Sequence, residues 1–343
     1  MNNLEKRKLD HLEVFNTQDP VFSNTETGFE KYRFIPHTVN NISLKNIRTE
    51  TRFLGRKLSF PFMISSMSGG IKEAYELNND LSKIAENLKI AFALGSFRSM
   101  LESGKIMESY SIARKNAPSV PILANIGIGQ VAKGEWEKGL LSIIKEMELD
   151  GLFIHFNKLQ EYIQQGGNTD FDNLENEIRQ IIDEIEIPVI AKEVGNGFSK
   201  KDIESLINWG FKYIDVSGAG GTSWAKVEDF LASEDSKIDS SFFEWGIPTS
   251  NSLKYLNSQK QIFSIASGGI DNPETMSKAL ALGANITSSA RFIYQTYYQN
   301  GAEYLENKLL KWQETLRAIM YLTGINSIED FIGNNEIISE INE

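Results

Sequence analysis

The chain of 343 residues contains no cysteine. That excludes a disulfide framework, a thiolate nucleophile and any metal site with sulfur ligands. It agrees with a reducing compartment, and the expectation is a cytoplasmic protein. Histidine is scarce too. His11, His37 and His155 are all there is, so a His-rich metal cluster is excluded. No apolar run approaches the roughly 18 residues that a membrane span needs. The N-terminal stretch MNNLEKRKLDHLEVF lacks the apolar core of a signal sequence. Positive charge falls short, with 35 lysines and arginines against 46 acidic residues, a net of -11. This argues against broad contact with nucleic acid or an anionic membrane. It leaves room for a local phosphate site. What remains, 41% hydrophobic and 24% charged residues, describes a globular chain with enough length for a substantial core.

From Phe60 onward the chain repeats a short apolar run, a polar end and an amphipathic helix. Strands are expected at 60–66, 90–95, 121–126, 151–157, 187–193, 212–217, 261–266 and 284–288. Helices are expected at 72–88, 105–116, 133–148, 173–185, 199–208, 247–257, 273–281 and 291–299. Eight such units in about 230 residues predict a parallel (β/α)8 TIM barrel, with a doubly wound open sheet as the competing α/β architecture. Residues 1–59 form an N-terminal arm to a barrel spanning 60–343, and 303–331 look like closing helices. The longest interruption, 222–246, is expected to be a lid or binding loop. In the arm, Arg7 and Lys8 sit in a charged stretch with helical potential, for which a solvated tail is the ordinary alternative.

A barrel enzyme keeps its chemistry at the C-terminal ends of its strands, and polar groups gather there. The first strand end supplies Ser65, Ser66, Met67 and Ser68, the second Ser96 and Arg98, and the third Asn125. The fifth supplies Lys192 and the sixth Ser217 to Thr222. The seventh and eighth end in Ser267-Gly268-Gly269 and Ser289-Ala290-Arg291. Turns of this kind expose backbone N–H groups at helix starts, a frequent phosphate site in barrels. Lys192 ends a strand that is otherwise apolar, so it must be paired or face the barrel mouth. A salt bridge to Glu193 or another local carboxylate is the structural alternative.

The fourth unit, Gly151 to Glu161 (GLFIHFNKLQE), is the richest. It begins as an apolar strand, and His155 and Asn157 lie two apart, so they share a face. Gln160 and Glu161 follow just past the end. Together they offer a donor/acceptor pair, an amide and a carboxylate to a polar ligand and a metal. An ordinary polar loop is the plainer alternative.

These pieces resemble the flavin-dependent, type 2 isopentenyl-diphosphate isomerases. The resemblance rests on RKLDHL at 7–12, PFMISSMSGG at 61–70, LANIG at 123–127, HFNKLQE at 155–161, AKEVGNGFS at 191–199, DVSGAGGTSW at 215–224, WGIPT at 245–249, ASGGIDNP at 266–273 and ALGA at 281–284. It implies a (β/α)8 barrel that binds FMN, needs Mg2+ and takes reducing equivalents from NADPH. The implied reaction interconverts isopentenyl and dimethylallyl diphosphate without net redox change. FMN is then expected on Ser66, Met67, Ser68, Ser96, Asn125, Lys192, Ser217 and Thr222, with its phosphate on Gly268, Gly269, Ala290 and Arg291. Arg7, Lys8 and Arg98 are expected to hold the substrate diphosphate, helped by His155 and Asn157. Gln160 is expected near the reacting carbons and Glu161 on the metal. The family assembles as tetramers and octamers, so the resemblance also implies a homo-oligomer.

Shifting a double bond adds a proton at one carbon and removes one elsewhere. Reduced FMN supplies an acid/base group at its N5 edge, so no side-chain thiol is needed. Several positions depart from the family pattern. Ser68 stands where threonine is common. Phe97 stands beside Arg98, and Phe156 lies between His155 and Asn157. The segment YIQQGGNTDF after Glu161 lacks the usual Pro-Glu-Gly and has Thr169 in place of a base. All but Ser68 are expected on the substrate side. Two other functions stay open: an FMN oxidoreductase of the 2-hydroxyacid oxidase type, and a non-catalytic flavin- or prenyl-diphosphate-binding relative. Such oxidases depend on a histidine followed by Gly-Gly after a late strand; here the sixth strand end carries none.

Overall fold

The computed structural model describes residues 3–164, 166–232, 237–259 and 261–341. Eight parallel strands close a barrel in sequence order: β1 (Phe62–Ile64), β2 (Ala91–Ala93), β3 (Ile122–Gly127), β4 (Gly151–Phe156), β5 (Val189–Glu193), β6 (Tyr213–Asp215), β7 (Phe263–Ala266) and β8 (Ile286–Ser289). Closure comes where β8 pairs with β1, Ser288 opposite Met63. An open doubly wound sheet would leave two edges there.

Side chains alternate between the two faces of each strand. The outward set, including Phe62, Ile64, Phe92, Ile122, Leu152 and Ile154, packs in one large core with helix residues such as Leu77, Leu81 and Ile84. The inward set forms a second, smaller cluster: Met63, Ala91, Ala93, Leu123, Phe153, Ile190, Ile265 and Ile286. Phe53 and Leu58 complete it from below. They come from a hairpin, Thr51–Phe53 paired with Arg56–Leu58. Its two turn residues, Leu54 and Gly55, both have positive φ (48° and 80°), the backbone of a tight two-residue hairpin turn. A Cβ on Gly151, at the start of β4, would lie 2.8 Å from Leu54 Cδ1. Part of the arm is therefore the floor of the barrel.

The rest of the arm closes the other end and one side. Strand Tyr32–Phe34 pairs antiparallel with Ile338–Glu340. The N-terminal helix, Asn3–Thr17, packs against the helices Trp224–Leu231 and Arg291–Asn300. Lys8, His11, Leu12 and Phe15 fall at i, i+3, i+4 and i+7, so one face carries them all. Phe15 meets Trp224 and Tyr294 edge-on, with centroids 5.9 and 6.4 Å apart. That packing is why a charged N-terminus is a docked helix and not a solvated tail.

Several boundaries differ from expectation. The helix expected over 105–116 is observed as Glu108–Asn116, and an unexpected short helix, Arg98–Ser103, precedes it and ends at Gly104 with φ +65°. The one expected over 133–148 is a 3-10 turn, Glu135–Lys138, and a helix, Leu140–Glu146, preceded by an unexpected short helix, Ile128–Ala132. Gly134 and Gly139, with φ +65° and +126°, make the breaks. The 222–246 interruption contains the helix Trp224–Leu231, whose first turn is capped by the Ser223 hydroxyl accepting from Lys226 N–H. Residues 233–236 of that interruption, and Gln165 of the segment after Glu161, lie outside the described residues. Among the described residues no helix is long and apolar enough to cross a membrane.

Candidate active site

On the inward stripe five strands change character within two residues. Met63, Leu123, Phe153, Ile190 and Ile265 are followed, two positions on, by Ser65, Asn125, His155, Lys192 and Ser267. The first set fills the barrel; the second lines a cavity at its mouth. The cavity has about 1700 Å³ of empty space, part of it open to solvent. All the candidate binding and catalytic residues named from the sequence line it: Arg7 and Lys8 from the arm; Ser66, Met67 and Ser68 after β1; Ser96 and Arg98 after β2; and Asn125 on β3. So do His155, Asn157, Gln160 and Glu161, then Lys192, Ser217, Thr222, Gly268, Gly269, Ala290 and Arg291.

Lys192 is paired, though not with Glu193. Its ammonium lies 2.7 Å from Asp215 Oδ2 and 3.1 Å from Ser267 Oγ. Register places Lys192 on β5 directly beside Asp215 on β6. Asp215 is completely buried and its other oxygen accepts from Ser267 Oγ at 2.7 Å. Glu193 points the other way. One of its oxygens accepts four consecutive backbone N–H groups, from Val194 to Gly197, at 2.5 to 3.0 Å. Burial pushes its carboxyl up to about 7 against the pull of those donors. The bonds fix the loop whose Val194 and Gly195 line the cavity.

His155 Nδ1 is 2.7 Å from Asn125 Oδ1. Burial, and then the Lys192 charge, push its pKa down to about 4. The imidazole is therefore neutral at pH 7. With Nδ1–H donated to the amide oxygen, Nε2 keeps its lone pair. A Cβ on Gly127 would sit 2.7 Å from Nε2, so the ring needs glycine there.

Gln160 and Glu161 lie on a short helix, Lys158–Ile163, and not on a loop. Asn157 begins it and donates from Nδ2 to both, 3.1 Å to Gln160 Oε1 and 3.2 Å to Glu161 Oε1. Glu161 Oε2 accepts from Gln164 Nε2 at 3.1 Å and from Asn168 N–H at 2.6 Å. Gln160 Nε2 donates to Glu228 Oε1 at 2.7 Å. Glu228, on the Trp224–Leu231 helix, also meets Arg7 and His11 of the arm, each at 3.2 Å. Burial raises its carboxyl, but His11, Arg7 and Gln160 outweigh that and hold it below the usual glutamate value. Arg7 bonds Gln164 as well. One chain of bonds thus links the arm to Gln160.

Asp215, Glu228, His11 and Gln164 had not been singled out in the sequence. Two residues had been expected on the substrate side and are not. Phe97 is fully buried and stacks edge-on against Tyr110 at 5.1 Å. Phe156 faces out of the barrel, against Phe198 and Phe211 at 5.6 and 6.1 Å. Neither lines the cavity.

Known proteins share this architecture. The flavin-binding domain of baker's yeast flavocytochrome b2 superposes with a TM-score of 0.69 at 14% identity, covering 92% of this chain and 77% of that one. A soluble mutant of (S)-mandelate dehydrogenase from Pseudomonas putida gives 0.65 at 14%, covering 98% and 99%. At such identity these likenesses bear on the fold alone. The sequence itself matches the FMN-dependent dehydrogenase profile over residues 1–109 and 145–339. It is 38% identical to the isopentenyl-diphosphate delta-isomerase of Chlorobium phaeovibrioides over 98% of both chains. It is also 38% identical to that of Rickettsia rickettsii over 95% of both. The chain belongs to the type 2 isopentenyl-diphosphate isomerase family.

The matched FMN-dependent profile implies a flavin, and the family resemblance implies a metal as well; the side chains offer donors that suit each. Ser66 and Ser68 have buried hydroxyls without a partner, as expected where a polar ring system would meet them. Gly268 and Gly269, with φ of +91° and +72°, shape the turn after β7. Residue 291 begins a helix whose first N–H groups have no carbonyl partner inside the helix. For the metal, Glu161 offers a buried carboxylate, and Asn157 Oδ1 is a second buried oxygen without a partner. Among the described residues no group of three or more acidic or histidine side chains could hold an ion. The donor set suits a hard cation that draws its remaining oxygens from elsewhere.

Proposed function

We propose that this member of the isomerase family interconverts isopentenyl diphosphate and dimethylallyl diphosphate, with FMN in the barrel mouth, NADPH as its reductant and Mg2+ on the substrate diphosphate. One observation carries the reading: a single cavity joins a cationic arm helix, a buried carboxylate, a lysine-bearing strand end and the glycine turn after β7. FMN, when bound and reduced, supplies an acid/base group at its N5 edge.

The chain's own residues do the remaining work. Arg7, Lys8 and Arg98 neutralise the diphosphate, with His155 and Asn157 beside it. Glu161 would hold Mg2+ and leave its remaining oxygen ligands to be supplied from outside the protein. Gln160 is tethered at both ends of its amide, to Glu228 and to Asn157, so its orientation at the reacting carbons is set. Lys192 would supply positive charge to the flavin. Gly268, Gly269, Ala290 and Arg291 would hold the flavin phosphate through backbone N–H groups. An alkene is a weak base, and a wet site would lose the proton to water. Leu12, Phe15 and Trp224 give the cavity an apolar cover. We expect a homo-oligomer, a tetramer or octamer.

The test is direct. Protein loaded with FMN and reduced with NADPH is incubated with isopentenyl diphosphate and Mg2+, and dimethylallyl diphosphate is the expected product. No product from flavin-loaded protein would leave a non-catalytic binder, and flavin reduction by a 2-hydroxyacid would indicate an oxidase. The oxidase lacks support in the site, since the turn after β6, Ser217 to Thr222, carries no histidine.

A further inference from the structure

Tyr110 does not line the cavity, yet it touches what does. It lies on the Glu108–Asn116 helix and is completely buried. Its hydroxyl donates to the Ser96 carbonyl oxygen at 2.5 Å. Burial pushes its ionisation well up, so the proton stays on. A phenol has one proton to give; toward Lys8 Nζ, 3.2 Å away, it can only accept. Ser99 Oγ is 3.0 Å from the same ammonium and 3.2 Å from the phenol oxygen. The Gly69 carbonyl oxygen is a further acceptor.

Three neutral oxygens, from three separate elements, therefore hold the ammonium of an arm residue. Neutral acceptors satisfy N–H groups without cancelling the charge. The glycines at 69 and 70 make the enclosure possible. A Cβ on Gly69 would lie 2.1 Å from Tyr110 Cε1, and one on Gly70 would lie 2.2 Å from Ser99 Oγ.

We propose that Tyr110 and Ser99 are positioning residues that fix the Lys8 ammonium at the cavity rim, presenting a pre-set cation to the diphosphate of the substrate. This rests on the reading of Lys8 as a diphosphate ligand. A lysine turns about four side-chain bonds, and a charge already aimed loses less freedom on binding. The cage also ties the arm helix to the loops after β1 and β2, so the arm's cation and the flavin-side Ser96 share one bonded unit.

The probe is inorganic pyrophosphate with Mg2+, titrated into FMN-loaded protein by calorimetry, with flavin affinity measured separately on each variant. Lys8→Ala should weaken pyrophosphate binding about tenfold or more. Tyr110→Phe and Ser99→Ala should each weaken it about two- to tenfold, the range of one hydrogen bond. Added to Lys8→Ala, neither should weaken it further, because the ammonium they act through is gone. If Lys8→Ala binds pyrophosphate like the parent, the diphosphate reading of Lys8 fails. If Lys8→Ala is weak while Ser99→Ala and Tyr110→Phe match the parent, or if their losses persist in the Lys8→Ala background, the positioning role is overturned. Tyr110→Phe also removes the bond to Ser96. Ser99→Ala keeps that bond, and its cycle with Lys8→Ala decides if Tyr110→Phe loses flavin or does not fold.

Discussion

Lys192 invites a simple test with a hidden confusion. Replacing it should weaken FMN if its charge faces the flavin. But the structure gives that ammonium a buried partner, Asp215, at 2.7 Å. Removing one member of a buried ion pair leaves an uncompensated charge and costs on the order of 3–5 kcal/mol. Asp215 would keep only Ser267 Oγ and the Ser217 N–H, at 2.7 and 3.3 Å. A Lys192→Met variant would therefore lose FMN through damage alone. The double variant Lys192→Met/Asp215→Asn separates the two. It removes both charges and keeps the volume, so most of the lost stability should return, to within about 1–2 kcal/mol of the parent. Urea unfolding of the flavin-free proteins measures that part. Flavin fluorescence titration measures the other. If Lys192 acts on the flavin, the double variant stays about tenfold or more weaker for FMN, about 1.4 kcal/mol, although its fold has recovered. A double variant with parental stability and parental FMN affinity would refute the role and leave Lys192 a structural ion-pair residue.

Deleting residues 1–9 removes Arg7 and Lys8 and should raise the apparent Michaelis constant strongly while FMN stays bound; an unchanged constant would take the arm out of the substrate site. Glu161→Gln should raise the Mg2+ concentration needed for turnover, whereas Gln160→Ala should lower turnover at an ordinary metal requirement. A parental Mg2+ titration curve for Glu161→Gln would move the metal site elsewhere. His155, held down to about 4 from an ordinary value near 6.5, stays neutral in the fold while the unfolded chain takes up a proton. Its contribution is thus full above pH 6.5 and is lost as pH falls toward 4, by up to about 3 kcal/mol. Glu193, pushed up to about 7, tilts stability the opposite way, so the slope to measure is parent minus His155→Gln by urea unfolding between pH 7.5 and 5; a zero difference contradicts the buried neutral imidazole.

The barrel was legible because two local periods carry it. Apolar runs of strand length alternate with helical segments, and a parallel pairing needs such a helix between strands. The cavity's polar residues were legible for the same reason, as they occupy the C-terminal ends of those runs. Phe156 illustrates a direction that could have been read. It neighbours His155 on a strand, and neighbours on a strand face opposite ways, so a cavity-facing His155 sends Phe156 outward. Phe97 offers no such handle. It lies in a turn before a helix, where no alternation applies, and only its packing on Tyr110 reveals its direction. The Trp224–Leu231 helix was hidden because it is short and set in a stretch rich in Ser, Asp and Glu.

What stayed out of reach is pairing between elements far apart in sequence. Lys192 drew notice as a charge on an apolar strand, and Asp215 satisfies the same criterion in Tyr213-Ile214-Asp215. Applied to both, that criterion predicts two buried charges of opposite sign on adjacent strands, which is the observed bridge. Glu228 is different. Nothing local marks it, because a glutamate on a short polar helix is ordinarily solvated. Its partners gather only where the arm helix brings Arg7 and His11 to one carboxylate oxygen that also holds Gln160. The residue that ties arm to amide is thus defined by three elements at once. Its substitution should loosen all of them together, leaving Arg7 to reach the Gln160 helix only through Gln164.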